Sequence, residues 1–250
     1  MERVTFKNSR NLTLVGNLYP AVSDKIIIMC HGFCSDKNSR GRFPRLAKKF
    51  NEIGYNAFSF DFSGCGESDN DSLTMAKEVD DLKSAIAFIK SKGFNKIALY
   101  GHSLGTVICL KCYSPEIITM ALSGAGTDSM KYDWNDFYSK EQIKELEENG
   151  YLTEKVDGVR KEIIVDQQML KDFELVRQEE LLSGITCPIL IIHGDNDEEE
   201  RLLCGNSKRG MRLLSSDSRL FIINGANHSF MDHLDKLVDL VSNWMKRFLG

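Results

Sequence analysis

The feature that most constrains this chain is a serine between two glycines, at a junction of two predicted elements. It reads Gly101-His102-Ser103-Leu104-Gly105. The apolar run at 97–100 is typical of a buried strand, and the run at 107–110 is typical of a helix. A sharp strand-to-helix turn strains the serine backbone, and side chains two residues away on either side would clash. The spacing therefore predicts that Ser103 stands above a sheet, at a helix N-terminus that favours developing negative charge.

Apolar runs of strand length alternate with helical patterns along most of the chain. This alternation predicts an α/β fold with a doubly wound, mostly parallel sheet. The first two strands alternate apolar and polar residues, which predicts an antiparallel pair at a sheet edge. The predicted strands are 4–7, 12–19, 25–30, 56–60, 96–100, 116–122, 188–193 and 219–223. Helices are predicted at 40–53, at about 82–93, after Ser103, at about 199–214 and at 232–249.

The alternation stops at about residues 127–184, after the sixth predicted strand. This stretch is rich in acids, lysines and aromatics, and it predicts an inserted lid within one domain of residues 1–250. Within it, Asp157-Gly158 lies between segments of β-type residues at 153–165, which predicts a hairpin. Four aromatic residues of the lid are candidates for a substrate pocket or, at least as well, for internal packing: Tyr132, Trp134, Phe137 and Tyr138.

Composition excludes several classes of function and location. A net charge of −4 weighs against a nucleic-acid surface. The first residues lack the apolar core of a signal peptide, and no run is long enough to span a bilayer. Seven cysteines, scattered through apolar runs, are typical of reduced thiols. We therefore expect a cytoplasmic monomer or homodimer without membrane insertion.

A nucleophilic serine needs a base to remove its proton, and the base needs an acid to orient it. Of the five histidines, His228 lies directly after the last predicted strand and before the last helix. The carboxyl ends of parallel strands share one edge of a sheet, so this loop lies on the same edge as Ser103. The sequence therefore predicts His228 as the base.

The acid is expected on the loop after the preceding strand, which reads Gly194-Asp195-Asn196-Asp197 and continues with three glutamates. Asp195 and Asp197 are both candidates, in the chain order serine, acid, histidine. The glutamates, Glu198 to Glu200, are explained by the preference of acids for a helix N-terminus.

An oxyanion hole needs two backbone N–H donors beside the nucleophile. One is predicted at Leu104, directly after the serine. The second is predicted at Phe33, in the loop His31-Gly32-Phe33 after the third strand, where Gly32 lets the backbone approach the substrate.

Five short motifs, in order along essentially the whole chain, resemble the α/β-hydrolase family. They are His31-Gly32-Phe33, Asp61-Phe62-Ser63-Gly64-Cys65-Gly66-Glu67-Ser68, the serine motif at 101–105, Gly194-Asp195-Asn196-Asp197 and Asn227-His228. Length and lid position look most similar to bacterial carboxylesterases of the feruloyl and cinnamoyl esterase type. The family often follows its acid with valine and proline, whereas this chain continues Glu198-Glu199-Glu200-Arg201, so the pocket wall is expected to differ there.

The resemblance implies Ser103 as nucleophile, His228 as base and Asp197 as acid, because the family's acid usually holds the fourth place of Gly-x-x-Asp. It implies hydrolysis of a small carboxylic ester through an acyl-enzyme, without metal or organic cofactor. Thioesterase, lysophospholipase, peptidase and carbon–carbon hydrolase activities use the same machinery. A non-catalytic binding scaffold on the same fold is a further alternative, although no triad member is missing.

Overall fold

The structure is a computed structural model that describes residues 1–250. Eleven strands and eight α-helices follow one another along the chain. They are β1 (Glu2–Lys7), β2 (Thr13–Tyr19), β3 (Lys25–Cys30), α1 (Arg42–Glu52), β4 (Asn56–Phe60), β5 (Ser72–Leu73), α2 (Met75–Ser91), β6 (Lys96–His102), α3 (Leu104–Lys111), β7 (Ile117–Ser123), α4 (Lys140–Asn149), β8 (Tyr151–Lys155), β9 (Glu162–Asp166), α5 (Gln167–Leu175), α6 (Gln178–Leu182), β10 (Ile189–Gly194), α7 (Glu198–Gly210), β11 (Arg219–Ile223) and α8 (Leu234–Phe248).

Eight strands form the central sheet, in the order β1-β2-β4-β3-β6-β7-β10-β11. The pairs β1–β2 and β2–β4 are antiparallel, and every later neighbour is parallel. The predicted antiparallel edge and the predicted mostly parallel sheet are both confirmed. The whole is the α/β-hydrolase fold that the motifs imply.

Helices cover both faces of this sheet, which explains the uninterrupted apolar runs of its inner strands. Side chains of a strand alternate between the two faces. In β3, Ile26 and Ile28 therefore pack in the core that includes α2 and α3, whereas Ile27 and Met29 pack in the core that includes α1 and α8. None of the helices combines the length and the apolar composition that crossing a bilayer requires.

The predicted interruption lies between β7 and β10, after six strands of the central sheet. The hairpin predicted around Asp157-Gly158 is confirmed, because β8 and β9 pair antiparallel. The structure adds three helices that the sequence analysis did not predict, of which α4 begins at a Ser139 capping box and ends at Gly150. It also adds β5, a two-residue strand that pairs parallel with β9 and ties the insertion to the central domain.

Three loops leave the carboxyl edge of the parallel strands and meet there. They follow β3, β10 and β11, and the sharp turn after β6 lies among them. The carboxyl edge is where ligands bind in open α/β sheets. The predicted nucleophile, base and oxyanion donors are therefore brought to one place by the strand order alone.

Candidate active site

Ser103 stands at a strained turn between β6 and α3. Its backbone angles are φ 54° and ψ −127°, a region that a non-glycine residue adopts only at a cost. A Cβ on Gly101 would lie 2.7 Å from the carbonyl oxygen of Gly105, and a Cβ on Gly105 would lie 2.3 Å from that of Cys30. Both distances are impossible contacts, so both flanking positions require glycine, as predicted.

His228 lies in the loop between β11 and α8, on the same edge as Ser103. Its Nε2 is 2.9 Å from Oγ of Ser103, which is a hydrogen-bonding distance. The side chain is 23% exposed, so one face of the ring remains open to a cavity. The two residues predicted as nucleophile and base are thus in direct contact.

The residue against the far side of the His228 ring is Glu200 and not the predicted Asp197. Oε1 of Glu200 is 2.5 Å from Nδ1 of His228, and the glutamate side chain is fully buried. Its other oxygen, Oε2, accepts a hydrogen bond of 2.9 Å from the N–H of Gly194. The sequence interpretation explained Glu200 by the preference of acids for a helix N-terminus. Glu200 does lie in the first turn of α7, and the structure adds its contact with His228.

Asp197 contacts the backbone instead of the histidine ring. It is the N-cap of α7, where its Oδ1 accepts the N–H of Glu200 at 2.7 Å. Its Oδ2 accepts the N–H of His228 at 2.6 Å. The capping geometry turns the aspartate toward backbone donors, and Glu200, one helical turn later and one methylene longer, reaches the ring. Asp195, the other candidate, accepts the N–H of Gly225 at 2.7 Å.

A second histidine lies behind the glutamate, and the sequence analysis did not assign it a role. Nδ1 of His193 is 2.9 Å from Oε2 of Glu200, and its Nε2 is 2.9 Å from Oγ of Ser207. His193 is completely buried at the end of β10. It fixes the carboxylate on the side opposite to His228, so His193, Glu200, His228 and Ser103 form one continuous chain of hydrogen bonds.

This chain of contacts sets the charges of the site. Burial raises the pKa of the Glu200 carboxyl, but hydrogen bonds and charge from His193 and His228 outweigh burial and lower that pKa to about 2. Burial lowers the pKa of His228. The hydrogen bond that its Nδ1–H donates to Glu200, together with the charges of nearby carboxylates, outweighs burial, so the net pKa is raised. An imidazolium at His228 is therefore stabilised by a carboxylate that stays ionised.

Gly124, directly after β7, is a further site residue that the sequence analysis missed. Its φ is +58°, and a Cβ there would lie 2.7 Å from Cε1 of His228 and 3.0 Å from Oε1 of Glu200. The absence of a side chain leaves room for the histidine–glutamate pair. A glycine that ends a strand at the active edge is the signal that could have identified it.

His102 forms part of the wall beside His228. Its ring centroid lies 5.4 Å from that of His228, and its Nδ1 is 3.0 Å from Oγ of Ser123. Burial, followed by the charges of Arg42 and His228, lowers the pKa of His102 well below its usual value. His102 is therefore neutral, and it adds no second positive charge next to His228.

The two predicted oxyanion donors, the N–H groups of Phe33 and Leu104, lie in segments next to Ser103. Leu104 is the first residue of α3, so its N–H has no carbonyl partner within the helix. The N–H of Phe33 donates to no other backbone group. A Cβ on Gly32, the residue before it, would lie 3.1 Å from Cβ of Ser103, so the Phe33 loop approaches the serine closely.

Two cavities meet at Ser103 and His228. The larger, of about 320 Å³, is lined mostly by polar and charged residues and lies beside the Phe33 loop. The smaller, of about 30 Å³, is lined on one side by Leu104 and Val107, and the insertion contributes Tyr132 and Phe173 to its opposite wall. The other three lid aromatics pack on one another and on Tyr132 and line neither cavity.

The fold, with a serine at its strand-to-helix turn and a histidine from its last loop, defines this protein as an α/β-hydrolase. Residues 21–149, more than half of the chain, match the family described as serine aminopeptidase, S33. The chain belongs to this family.

Proteins of known structure share the fold at low sequence identity. The esterase domain of a Rhodothermus marinus protein has a TM-score of 0.72 and 21% identity, and the match covers 100% of this chain and 99% of that one. The α/β hydrolase GrgF from Penicillium sp. has a TM-score of 0.78 and 19% identity, covering 99% and 97%. Est1E from Butyrivibrio proteoclasticus, solved with ferulic acid bound, has a TM-score of 0.75 and 20% identity, covering 98% and 99%.

Part of the chain is similar in sequence to proteins of Escherichia coli. Two relatives, each described as an uncharacterised 31.7 kDa protein in the traX-finO intergenic region, are 35% identical over 89 residues. Each match covers 34% of this chain and 30% of the relative. The matched part is too short to transfer any property of the whole relative.

Proposed function

We propose that this protein is a serine esterase, with Ser103 as nucleophile, His228 as base and Glu200 as the orienting acid. The observation that carries the proposal is the unbroken contact from Oγ of Ser103 through the His228 ring to the Glu200 carboxylate, at 2.9 and 2.5 Å. The acid at this position departs from the Gly-x-x-Asp pattern of the family.

In the acylation step, Oγ of Ser103 forms a bond to the acyl carbon while its proton moves to Nε2 of His228. The N–H groups of Phe33 and Leu104 stabilise the oxyanion of the tetrahedral intermediate. The carbon–oxygen bond of the ester then breaks, and the alcohol takes the proton from His228. Water attacks the acyl-enzyme by the same route, which returns Ser103 to its free form.

We also propose that residues 127–184 act as a lid that limits the substrate. Tyr132 and Phe173 line the small cavity at Ser103, and the Tyr132 hydroxyl donates a hydrogen bond of 3.0 Å to Glu199 of α7. A cavity of about 30 Å³ holds about one water molecule. A group of any size on that side therefore requires the lid to move outward.

The narrower proposal is an aromatic acyl group of the hydroxycinnamate type. It rests on the family resemblance and on the aromatic residues that the insertion contributes beside Ser103. Hydroxycinnamate esters and aliphatic esters with the same alcohol test it. A higher kcat/KM for the hydroxycinnamates supports this acyl group, and equal values contradict it.

The proposal of an esterase is tested with 4-nitrophenyl esters from acetate upward, using the wild type and Ser103→Ala. We expect turnover by the wild type, none above background by the variant, and labelling of Ser103 by a fluorophosphonate. Amino-acid 4-nitroanilides and an acyl thioester are assayed in parallel. If the wild type cleaves the anilides or the thioester but no oxygen ester, the assignment of the three residues is retained and the esterase assignment is overturned.

A further inference from the structure

The larger cavity at Ser103 carries an unusual set of charges. The cavity opens on Ser103 and His228 and has a volume of about 320 Å³. Two arginines, Arg40 and Arg42, belong to its lining, and no aspartate or glutamate does. Because arginine stays protonated in proteins, this side of the nucleophile is cationic.

Arg42 is a buried cation without a counter-ion. It is only 2% exposed, and no carboxylate lies within ion-pair distance. Its Nη1 donates to Oγ of Ser39 at 2.5 Å and its Nη2 donates to the carbonyl of Ser229, while its buried Nε has no partner. Buried charges in proteins are normally paired, because removing an ion from water is costly unless a partner compensates for it.

Arg40 is exposed and also forms no ion pair. Its φ of 56° and the φ of 46° at Ser39 are left-handed, so the loop adopts a costly conformation at the place where it presents this side chain. Asp36, the acid of the same loop, is occupied by the N–H groups of Asn38 and Ser39. No acidic residue lies in the first turn of α1, whose N-terminus adds positive potential.

From these observations we infer that the larger cavity binds a carboxylate or phosphate group of the substrate, through Arg40 and Arg42. This inference rests on the proposed esterase function and narrows it to an ester that carries a negative charge on one side of the scissile bond. The small apolar cavity receives the uncharged group on the other side. Arg42 is held in place by Ser39 and Ser229, and Arg40, which is exposed, supplies the second contact.

Two matched pairs of esters test the inference and locate the charge. On the acyl side, 4-nitrophenyl hydrogen glutarate is compared with 4-nitrophenyl hexanoate. On the alcohol side, 4-carboxyphenyl acetate is compared with 4-carbamoylphenyl acetate. We expect the wild type to prefer the charged member of one pair by about tenfold in kcat/KM, the size of one charge-assisted hydrogen bond. Added salt should reduce the preference, because the site is open to solvent.

Arg40→Gln is the decisive variant, because Arg40 is exposed and its loss leaves the buried contacts of Arg42 in place. We expect it to remove most of the preference for the charged ester. Arg45→Gln is the matched control, since Arg45 lies nearby in α1, pairs with Asp235 and does not line the cavity. The control should keep the wild-type ratio.

The outcomes separate this inference from the proposed function. Turnover of neutral esters without any preference for charge, or a preference that Arg40→Gln leaves unchanged, overturns the anion site and leaves the esterase intact. If no ester is cleaved, the esterase proposal fails, and calorimetry decides the anion site by itself. Glutarate should then bind to the wild type and bind at least tenfold more weakly to Arg40→Gln, and equal affinities overturn the site.

Discussion

Replacing Glu200 by glutamine is the sharpest test of the site, because the change keeps the size of the side chain and removes only one oxygen and the charge. The position now held by Oε2 faces two groups, the N–H of Gly194 and Nδ1 of His193, both at 2.9 Å. The amide oxygen of the glutamine is favoured there, because the NH₂ group would face the Gly194 donor. The NH₂ group then faces Nδ1 of His228 and places the ring proton on Nε2, where it blocks proton transfer from Ser103.

The size of the loss follows from two contributions. The ring proton returns to Nδ1 of His228 only if the glutamine amide turns so that its oxygen faces this atom. The NH₂ group then faces the buried N–H of Gly194, which loses its acceptor at a cost of about 1–3 kcal/mol. The imidazolium that forms in the transition state also loses a charge-assisted hydrogen bond, worth about 1.5–3 kcal/mol. Together these reduce kcat by roughly 10²–10⁴-fold, since about 1.4 kcal/mol corresponds to a factor of ten.

Asp197→Asn is the matched comparison, since it makes the same chemical change at the position that the family pattern favours. The asparagine oxygen can still accept one of the two backbone N–H groups that the aspartate now holds, so we expect a loss of about tenfold or less. Steady-state turnover of the best 4-nitrophenyl ester is measured for both variants, with Ser103→Ala as background and thermal unfolding as a check of the fold. A large loss for Asp197→Asn with a small one for Glu200→Gln would refute the assignment of Glu200.

Three further results are expected. The raised pKa of His228 means that kcat/KM should climb as this residue loses its proton and reach half its plateau above pH 6.5; a midpoint at or below 6.5 would contradict the contact with Glu200. Gly124→Ala places a Cβ 2.7 Å from Cε1 of His228 and should lower kcat at least tenfold. Gly54→Ala is the control, because Gly54 also has a positive φ but no atom lies within 4 Å of the added Cβ, and it should lower only the stability of the protein. The pKa of Glu200 falls from 4.5 to about 2 on folding, so its ionised form contributes about 3 kcal/mol of stability above pH 4.5, which is lost as the pH falls through about 2. The free energy of unfolding of Glu200→Gln should therefore depend less on pH between these values. An unchanged pH dependence would contradict the lowered pKa.

Most of the central domain could be predicted from the sequence, because each prediction depends on local chemistry. The serine turn requires glycine at 101 and 105, and the buried strands are apolar on both faces. The loop order after parallel strands then places His228 near Ser103 without any knowledge of side-chain contacts. Each of these features depends on a few residues, and the residues next to them in the sequence favour the same secondary structure.

The insertion was predicted less completely, because its elements are short and their apolar faces are narrow. Helix α4 has no buried residue, and β5 has only two residues. The start and stop signals of α4 were present in the sequence, namely Ser139 with Gln142 at its beginning and Gly150 at its end. A short polar helix is stabilised mainly by its packing, and packing is a tertiary property that a pattern along the chain does not contain.

The charged character of the larger cavity is also a tertiary property. Arg40 and Arg42 are ordinary members of a charged stretch when the sequence is read alone. Only the left-handed turn at 39–40 and the contact of Arg42 with the carbonyl of Ser229 bring them beside Ser103. Whether an arginine has a carboxylate partner depends on loops that are distant from it in the sequence, as Ser229 is from Arg42.

The acid shows how a correct local interpretation can lead to an incomplete assignment. Glu200 does lie in the first turn of a helix, as the sequence indicates, but the same turn aims its side chain at His228. Asp197, which holds the family position, caps that helix and binds the N–H of His228, so it fixes both ends of the contact that Glu200 makes. In the proposed site, Glu200 therefore contacts the His228 ring, and Asp197 holds the backbone of both residues. Because each depends on the other, the effects of their substitutions on kcat should not add, and the double variant should be little worse than Glu200→Gln alone.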